Sequence, residues 1–299
     1  MTIKFPNKKT PILYQGITAS SGSIHVEKAI FYGSNVVAGV SKDKSVTMFQ
    51  NVPVFQTVKE AVKKTKPQIS VIFSSPQRVL QDFEEAAKSH IPVIICPVNH
   101  VPYQDVLKMK QLAVRYKVQL VGPSAPGIVT VDECLAGTVP AHLFPKGSVG
   151  IVSRSSSLTY EAVQQLSKFD LGVSSCAAIG SAAIIGSSFI PFVEAFLKDT
   201  KTNVILLIGK ASGEFEYELL DFLKKKKSSK KIAIYIPGRH VVREEKTPVL
   251  GVRVEENALQ LKEKTLEKAG IKVISSATEI GSQIAKLLLD KKEVKHGSK

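Results

Sequence analysis

The chain has 299 residues, of which 43% are apolar, and a formal net charge of +15 at pH 7. This length is sufficient for two domains with a buried core. The sequence contains no apolar run of about 18 residues that predicts a membrane span, and its lysine-containing N-terminus lacks an apolar signal core. Cys96, Cys134 and Cys176 lack the spacing of a zinc site or of a disulfide framework. We therefore expect a soluble cytoplasmic protein without a metal site.

The excess positive charge is concentrated in a lysine run and at the C-terminal end of the chain. The run covers residues 224–227 with Lys230 and Lys231, and the tail reads KKEVKHGSK from residue 291. Such runs are typical either of solvated helix ends or of a nucleic-acid surface. Because aromatic residues do not alternate with the basic ones, we expect no nucleic-acid partner, and an anionic small molecule fits the charge equally well.

The first half of the chain predicts strands and helices in alternation, joined by short loops. Thr57 and Glu60 form a capping-box pattern at the start of the second helix. The alternation predicts a parallel sheet with helices on both faces, a Rossmann-type domain over residues 1–122. The expected strands are 12–15, 35–40, 69–75, 93–97 and 118–121, and the expected helices are 25–32, 58–64, 79–88 and 103–116.

A Gly/Pro-rich segment, GPSAPG, follows this domain, and residues 123–145 are expected to form an irregular linker. The alternation then restarts and predicts a second α/β unit, a flavodoxin-like doubly wound domain over 146–290, followed by a basic tail at 291–299. Ligands of such sheets bind at the carboxyl ends of the strands. The expected strands are 149–152, 174–179, 204–208, 232–236 and 273–274, and the expected helices are 158–168, 192–198, 215–226, 257–268 and 280–289.

Two loops after predicted strands are candidate anion sites. The first is GITASSG at 16–22, where glycines allow close backbone approach and Thr18, Ser20 and Ser21 supply hydroxyls. It is neither GxGxxG nor a P-loop, so it predicts a phosphate-bearing ligand without the nicotinamide fingerprint. The second is KGSVGIVSRSSSLTYE at 146–161, where a strand ends in small polar residues at a helix start. A simple turn, capped by serine in the second case, is the alternative for both.

Six colinear motifs span nearly the whole chain: YQGITASSG, FYGSNVVAGVS, VPVFQTVKEAV, GPSAPGIVTVDEC, KGSVGIVSRSSSLTYEAV and LEKAGIKV. Together they resemble the α subunit of succinyl-CoA synthetase, also called succinate–CoA ligase, an enzyme of the tricarboxylic acid cycle. The resemblance implies an N-terminal CoA-binding Rossmann domain and a flavodoxin-like ligase domain. It also implies an α/β hetero-oligomer in which an ATP-grasp β subunit supplies Mg²⁺ and ATP or GTP.

The same resemblance implies ligand roles for individual residues. The CoA phosphates would be held by Thr18, Ala19, Ser20, Ser21 and Gly22 with Lys44, and the rest of CoA by Pro97, Val98 and Asn99. Ala19 stands where the family usually has glycine, and Asn99 where it has an acidic residue. Tyr160 would lie at a substrate position near the β subunit, and Ser153, Arg154 and Ser155 would begin a helix aimed at a phosphohistidine.

The family's phosphohistidine motif, of the Gly-His-Ala-Gly type, is missing. Residues 237–257 read PGRHVVREEKTPVLGVRVEEN, and Lys210 replaces the glutamate of the family's Ile-Gly-Glu. Lysine cannot accept the imidazole N–H bond that would orient a histidine ring. Two further departures belong to the same site: Ser156 replaces a glycine, and Gly180-Ser181-Ala182 replaces Gly-Gly-Asp.

These departures leave three hypotheses. The first is a non-catalytic, CoA-binding α-like partner, regulatory or scaffolding, that has lost the relay. The second is an active acyl-CoA ligase, ADP- or GDP-forming, that uses a relocated His240 or transfers phosphate directly. The third is an NAD-dependent oxidoreductase, which only the fold supports. Such enzymes have an acidic residue at the end of the second strand that binds the ribose hydroxyls, whereas here Asp43 lies beyond that end.

Overall fold

The protein is described by a computed structural model that covers residues 3–226, 230–239 and 258–296, with side chains to residue 289. In this part of the chain, two seven-stranded sheets follow one another in the sequence. Helices separate their parallel strands, which confirms the predicted α/β class. None of the helices in these ranges is long and apolar enough to cross a membrane.

The first sheet has the strand order β3-β4-β2-β1-β5-β6-β7. All neighbouring strands are parallel except the β3–β4 hairpin, and the parallel strands follow the Rossmann order. The prediction missed the hairpin, whose two strands are short and lie at the edge of the sheet. The strands are Ile12–Gln15 (β1), Val36–Val40 (β2), Met48–Phe49 (β3), Val52–Phe55 (β4), Ile69–Ile72 (β5), Val93–Ile95 (β6) and Gln119–Val121 (β7).

Four helices cover this sheet. Helix α2 begins as predicted, because the Thr57 hydroxyl accepts a hydrogen bond from the Glu60 N–H at 3.2 Å. Helix α1 begins at Ser20, whereas residue 25 was predicted. The prediction was late because the first turn of the helix is polar and does not show the apolar pattern. The helices are Ser20–Phe31 (α1), Val58–Thr65 (α2), Val79–Lys88 (α3) and Tyr103–Tyr116 (α4).

The second sheet has the order β14-β13-β12-β10-β11-β8-β9. Its five parallel strands follow the predicted flavodoxin-type order, and an antiparallel hairpin, β8–β9, pairs with β11. The strands are Gly127–Thr130 (β8), Cys134–Gly137 (β9), Lys146–Ser153 (β10), Val173–Ala178 (β11), Val204–Ile208 (β12), Lys231–Tyr235 (β13) and Lys272–Ile274 (β14).

The β8–β9 hairpin corrects the expectation that residues 123–145 are irregular. Gly127 and Gly137 face each other, and a Cβ would lie 2.1 Å from the Ala136 oxygen if placed on Gly127 and 2.2 Å from the Pro126 oxygen if placed on Gly137. Glycine is therefore required by close strand approach, although in the sequence it indicates a loop. A short 3-10 helix, Ala141–Leu143, follows the hairpin.

Among the described residues of the second half, five helices cover the sheet: Ser156–Ser167 (α5), Ile190–Lys198 (α6), Phe215–Lys225 (α7), Ala258–Lys268 (α8) and Ile280–His296 (α9). Helix α9 continues to His296, into the segment that was expected to be a separate tail from residue 291.

The described residues pack in three buried clusters. One lies between the first sheet and α2–α4, and another between the second sheet and the pair α5 and α9. The third is shared by both sheets and includes residues of α1, α6, α7 and α8. The two halves of the chain are therefore joined by a continuous apolar interior.

The buried Ser34 side chain links the two halves by a pair of hydrogen bonds. Its hydroxyl donates to the Leu135 carbonyl at 3.0 Å and accepts from the Leu135 N–H at 2.8 Å. Ser34 follows α1, whereas Leu135 lies in β9 of the second sheet. One hydroxyl therefore satisfies both backbone groups of a residue 101 positions away in the sequence.

Ser34→Ala should lower the free energy of unfolding by about 2 kcal/mol, because it leaves a buried N–H and a buried carbonyl without partners. Urea denaturation of the full chain measures this loss. The matched control is Ser23→Ala, whose hydroxyl makes a single local bond of 3.4 Å. Equal effects of the two substitutions would contradict the prediction.

Candidate functional site

The turn between β1 and α1 offers backbone N–H groups at the carboxyl edge of the first sheet. Ala19 is the N-cap residue of α1 and makes no side-chain cap bond. The N–H groups of Ser20, Ser21 and Gly22, in the first helical turn, therefore receive no capping side chain and point toward the helix start. The positive end of the helix dipole favours an anion at this position.

This turn packs tightly against the end of β5. Gly16 has φ +74°, and a Cβ built on it would lie 1.8 Å from the Phe73 carbonyl oxygen. A Cβ on Gly22 would lie 2.3 Å from the Gly16 oxygen. The Phe73 ring is stacked in turn on the ring of His25, with centroids 5.4 Å apart. The two glycines thus allow strand, turn and helix to approach closely.

The other residues predicted to hold CoA lie at the same edge of the sheet. The Thr18 hydroxyl is 2.8 Å from the Ser41 hydroxyl, which joins the turn to the loop after β2. Lys44 is exposed in that loop. Pro97, Val98 and Asn99 follow β6, and the Val98 carbonyl accepts a hydrogen bond from Ser124 at 3.0 Å. The turn after β1, the loop after β2 and the residues after β6 therefore lie together at the carboxyl edge of the first sheet.

Asp43, considered above as a ribose ligand, is exposed in the same loop. Its carboxylate accepts from the Ser45 N–H at 2.9 Å and from the Ser45 hydroxyl at 2.6 Å. These bonds lower the pKa of the Asp43 carboxyl. The carboxylate therefore stabilises its own loop.

In the second domain, the serines after β10 organise the start of α5. Ser155 is the N-cap, and its hydroxyl accepts from the Leu158 N–H at 3.4 Å. The Ser153 hydroxyl donates to the Ser155 carbonyl at 2.8 Å and accepts from the Ser155 N–H at 3.0 Å. The serine cap considered as an alternative is thus present, and α5 begins at Ser156, immediately after the three residues predicted to begin it.

Arg154 is buried, with 6% of its surface exposed. Its Nε donates to the Gly180 carbonyl at 3.1 Å and its Nη2 to the Ala182 carbonyl at 2.8 Å. The guanidinium carbon lies 4.9 Å from the centroid of the Phe215 ring. Burial lowers the pKa of Arg154, which the charge of Glu216 partly offsets. Arg154 therefore fixes the loop after β11, in addition to any contact with a ligand.

Lys210, at the end of β12, contacts the same loop. Its ammonium donates to the Ser181 carbonyl at 2.9 Å. Burial, and then the nearby charge of Arg154, lower the pKa of Lys210 below its usual value. Two cations from neighbouring strand ends thus bind three consecutive carbonyls, and the positions predicted to depart from the family pattern, 180–182 and 210, are in direct contact.

Glu216 is a residue of this site that sequence reasoning missed. It lies in α7, is 1% exposed, and its Oε1 accepts from the Lys210 N–H at 3.0 Å. Its Oε2 lies 3.1 Å from the ammonium of Lys262 in α8. Charged residues that fall on the buried face of two helices were the available signal, because buried charges are rarely unpaired.

The remaining predicted positions are placed as follows. Tyr160 is half-buried in the second turn of α5, where burial raises the pKa of its hydroxyl. His240 lies outside the described residues. Arg239, just before it, donates to the Glu263 carboxylate at 2.7 Å. In the ranges 3–226, 230–239 and 258–296, no cluster of three or more His, Cys, Asp or Glu side chains could hold a metal ion.

Cys96, Cys134 and Cys176 are free and buried. Burial raises the pKa of the Cys96 and Cys134 thiols to about 12, so these two remain protonated at neutral pH.

Comparison with known proteins identifies both halves of the chain. A family described as the CoA binding domain matches residues 7–99, and one described as CoA-ligase matches residues 152–285. Among characterised proteins, the α subunit of ADP-forming succinate–CoA ligase from Staphylococcus aureus is 34% identical over 282 residues, covering 94% of this chain and 93% of the relative. The corresponding subunit from Aquifex aeolicus is 36% identical over 286 residues, with the same coverage of both chains.

Solved structures of larger proteins share the fold. ATP citrate lyase from Methanothrix soehngenii, in complex with citrate and coenzyme A, has a TM-score of 0.80 at 21% identity. The match covers 97% of this chain and 52% of that one. The dinucleotide-forming acetyl-coenzyme A synthetase 1 of Ca. Korarchaeum cryptofilum has a TM-score of 0.72 at 17% identity, covering 90% of this chain and 58% of that one.

The chain thus spans about half of these structures but nearly the full length of the bacterial α subunits. The CoA binding domain and the CoA-ligase family match in succession along this chain, over residues 7–99 and 152–285. The chain belongs to the family of succinate–CoA ligase α subunits.

Proposed function

We propose that this chain is an α-type subunit that binds CoA at the carboxyl edge of its first sheet and pairs with an ATP-grasp β-type subunit. The match of residues 7–99 to the CoA binding domain supports the ligand. The uncapped start of α1 and the glycine-dependent turn before it fit the pyrophosphate group of CoA, because they leave several N–H groups for an anion. Lys44 would add positive charge at the same end of the molecule.

We further propose that the subunit does not carry phosphate on a histidine. One observation carries this proposal: the ammonium of Lys210, which by the resemblance stands where the family has a glutamate, is hydrogen-bonded to the Ser181 carbonyl at 2.9 Å. A lysine here cannot accept an imidazole N–H, and its charge disfavours an imidazolium nearby. The missing Gly-His motif in residues 237–257 supports the same conclusion.

On this proposal, the chain tunes a ligase or acts as a CoA-responsive partner. The relay divides one difficult transfer into easier steps, and loss of the nucleophile should abolish it. Retention of the CoA turn, Tyr160 and the serines after β10 agrees with a role in which binding is preserved. The alternative, an active ADP- or GDP-forming ligase, requires either His240 as a relocated relay or direct phosphoryl transfer from nucleotide to carboxylate.

Phosphate labelling separates these functions. The protein is purified from its native source with its partner and mixed with γ-labelled ATP or GTP, and acid-labile phosphate on this chain is counted. We expect no label above that of the His240→Ala variant, together with measurable CoA binding and a co-purifying β-type subunit.

Two results would contradict the proposal. Stoichiometric label that disappears in His240→Ala would make His240 a relay. Acyl-CoA formation by the unlabelled complex would indicate direct transfer.

The same preparation also tests the nicotinamide alternative, because NADH binding tighter than CoA binding would favour an oxidoreductase.

A further inference from the structure

The loop between β12 and α7 directs several oxygen atoms toward one point, which the ammonium of Lys262 occupies. Nζ lies 3.3 Å from the carbonyl oxygen of Lys210, 3.2 Å from that of Ala211 and 2.8 Å from that of Gly213. The Oε2 atom of Glu216 is 3.1 Å from the same nitrogen. Lys262 is 3% exposed, so its ammonium is shielded from water.

This arrangement has the chemistry of a monovalent-cation site. Backbone carbonyls replace the hydration shell of potassium in proteins, and a carboxylate adds a compensating charge. The ring of Tyr217 lies 5.4 Å from Nζ and adds the aromatic face that cations favour. We call the four oxygens around Nζ the oxygen cage: the carbonyl oxygens of Lys210, Ala211 and Gly213, and Oε2 of Glu216. An ammonium has only three N–H groups, so the cage attracts the cation by charge as well as by directed hydrogen bonds.

The cage also fixes the position of Lys210. Glu216 accepts from the Lys210 N–H through Oε1 and from Lys262 through Oε2. The backbone of the loop is thereby held at both its N–H and its carbonyl groups. Without a cation, three carbonyls and a carboxylate would face one another in a buried space, which is strongly unfavourable.

We propose that Lys262 serves as a tethered cation in this oxygen cage, and that shortening its side chain creates a binding site for K⁺ or NH₄⁺. Lys262 is then a positioning residue for the 210–213 loop. The proposal does not depend on the function proposed above, because the cage is complete within this chain and its occupancy is measured through stability.

Thermal unfolding of the full-length Lys262→Ala protein tests the proposal. Melting temperatures are compared in KCl, NH₄Cl and tetramethylammonium chloride at equal ionic strength, since tetramethylammonium is too large for the cage. We expect K⁺ or NH₄⁺ to raise the melting temperature of the variant by about 4 °C relative to tetramethylammonium. Stabilisation by both ions would indicate recognition by size and charge, and stabilisation by NH₄⁺ alone would indicate directed hydrogen bonds.

General salt effects are removed by matched controls. The wild-type protein and Lys264→Ala, an exposed lysine on the same helix, should show no such ion preference. Lys262→Met, which fills the space without charge, should be equally insensitive. The response should also disappear from Lys262→Ala when Glu216→Gln is added.

If Lys262→Ala does not fold in tetramethylammonium chloride, the yield of folded protein after refolding in each salt replaces the melting temperature. Equal melting temperatures or equal yields in the three salts, after subtraction of the wild-type response, would overturn the proposal.

Discussion

Replacing Arg154 by methionine should lower the free energy of unfolding by about 3 kcal/mol. The guanidinium is buried and donates to two carbonyls of the loop after β11, those of Gly180 and Ala182. Methionine retains the apolar stem but leaves both carbonyls without a donor. It also removes the cation from the face of the Phe215 ring. The loss should therefore exceed that of a typical surface substitution.

Urea denaturation of the full chain measures the effect, and Arg154→Lys provides the matched control. Lysine retains the charge but not the planar fork, so it can reach one of the two carbonyls at most and should recover less than half of the loss. A methionine variant as stable as the wild type would show that the two carbonyls have other donors.

The order of the two domains and most of their strands could be predicted because the apolar residues follow a regular pattern along the sequence. Strands such as β12 are continuous apolar runs, and helix α4 has its apolar residues on one face, so their positions follow from periodicity. Parallel strands separated by helices then place the turns between strand and helix, and Ser20 and Ser155 with them, at the carboxyl edge of each sheet.

The β8–β9 hairpin and the start of α1 could not be predicted for a physical reason. Gly127 and Gly137 indicate a loop in the sequence, whereas their role depends on backbone contact between two strands. The residues 16–22 read as one loop because Ser20, Ser21 and Gly22 are poor helix formers, although they lie in the first turn of a helix. In both cases tertiary contacts outweigh local propensity.

Partners across the candidate site were also beyond sequence reasoning. The expected role of Arg154 came from its position after a strand, but its hydrogen bonds go to residues 180 and 182, which no spacing rule connects to it. Similarly, Lys262 and Lys210 are distant in sequence and meet only because α7 and α8 pack side by side. The departure at Lys210 was predicted from the sequence, whereas its contact with Ser181 is given only by the fold.

Gly16→Ala should reduce CoA affinity by about 100-fold, equivalent to ~2.7 kcal/mol of binding free energy. Gly16 has φ +74°, which disfavours any residue with a Cβ, and the added carbon would lie 1.8 Å from the Phe73 carbonyl oxygen. The oxygen belongs to the residue directly after β5, whose N–H donates to the Gln15 carbonyl at 2.9 Å, so the turn itself must move. Its displacement would shift the N–H groups at the start of α1 that are proposed to bind the CoA phosphates.

Gly33→Ala provides a closely matched control for this substitution. Gly33 follows the other end of α1 and has φ +87°, but no atom lies within 4 Å of its would-be Cβ. It should therefore lose about 1 kcal/mol of stability from the backbone conformation alone and keep its CoA affinity. Isothermal titration with CoA, after circular dichroism has verified folding, compares the two variants. Unchanged affinity in a folded Gly16→Ala protein would exclude this turn as the phosphate site, whereas a loss shared by Gly33→Ala would indicate general destabilisation instead of a displaced binding turn.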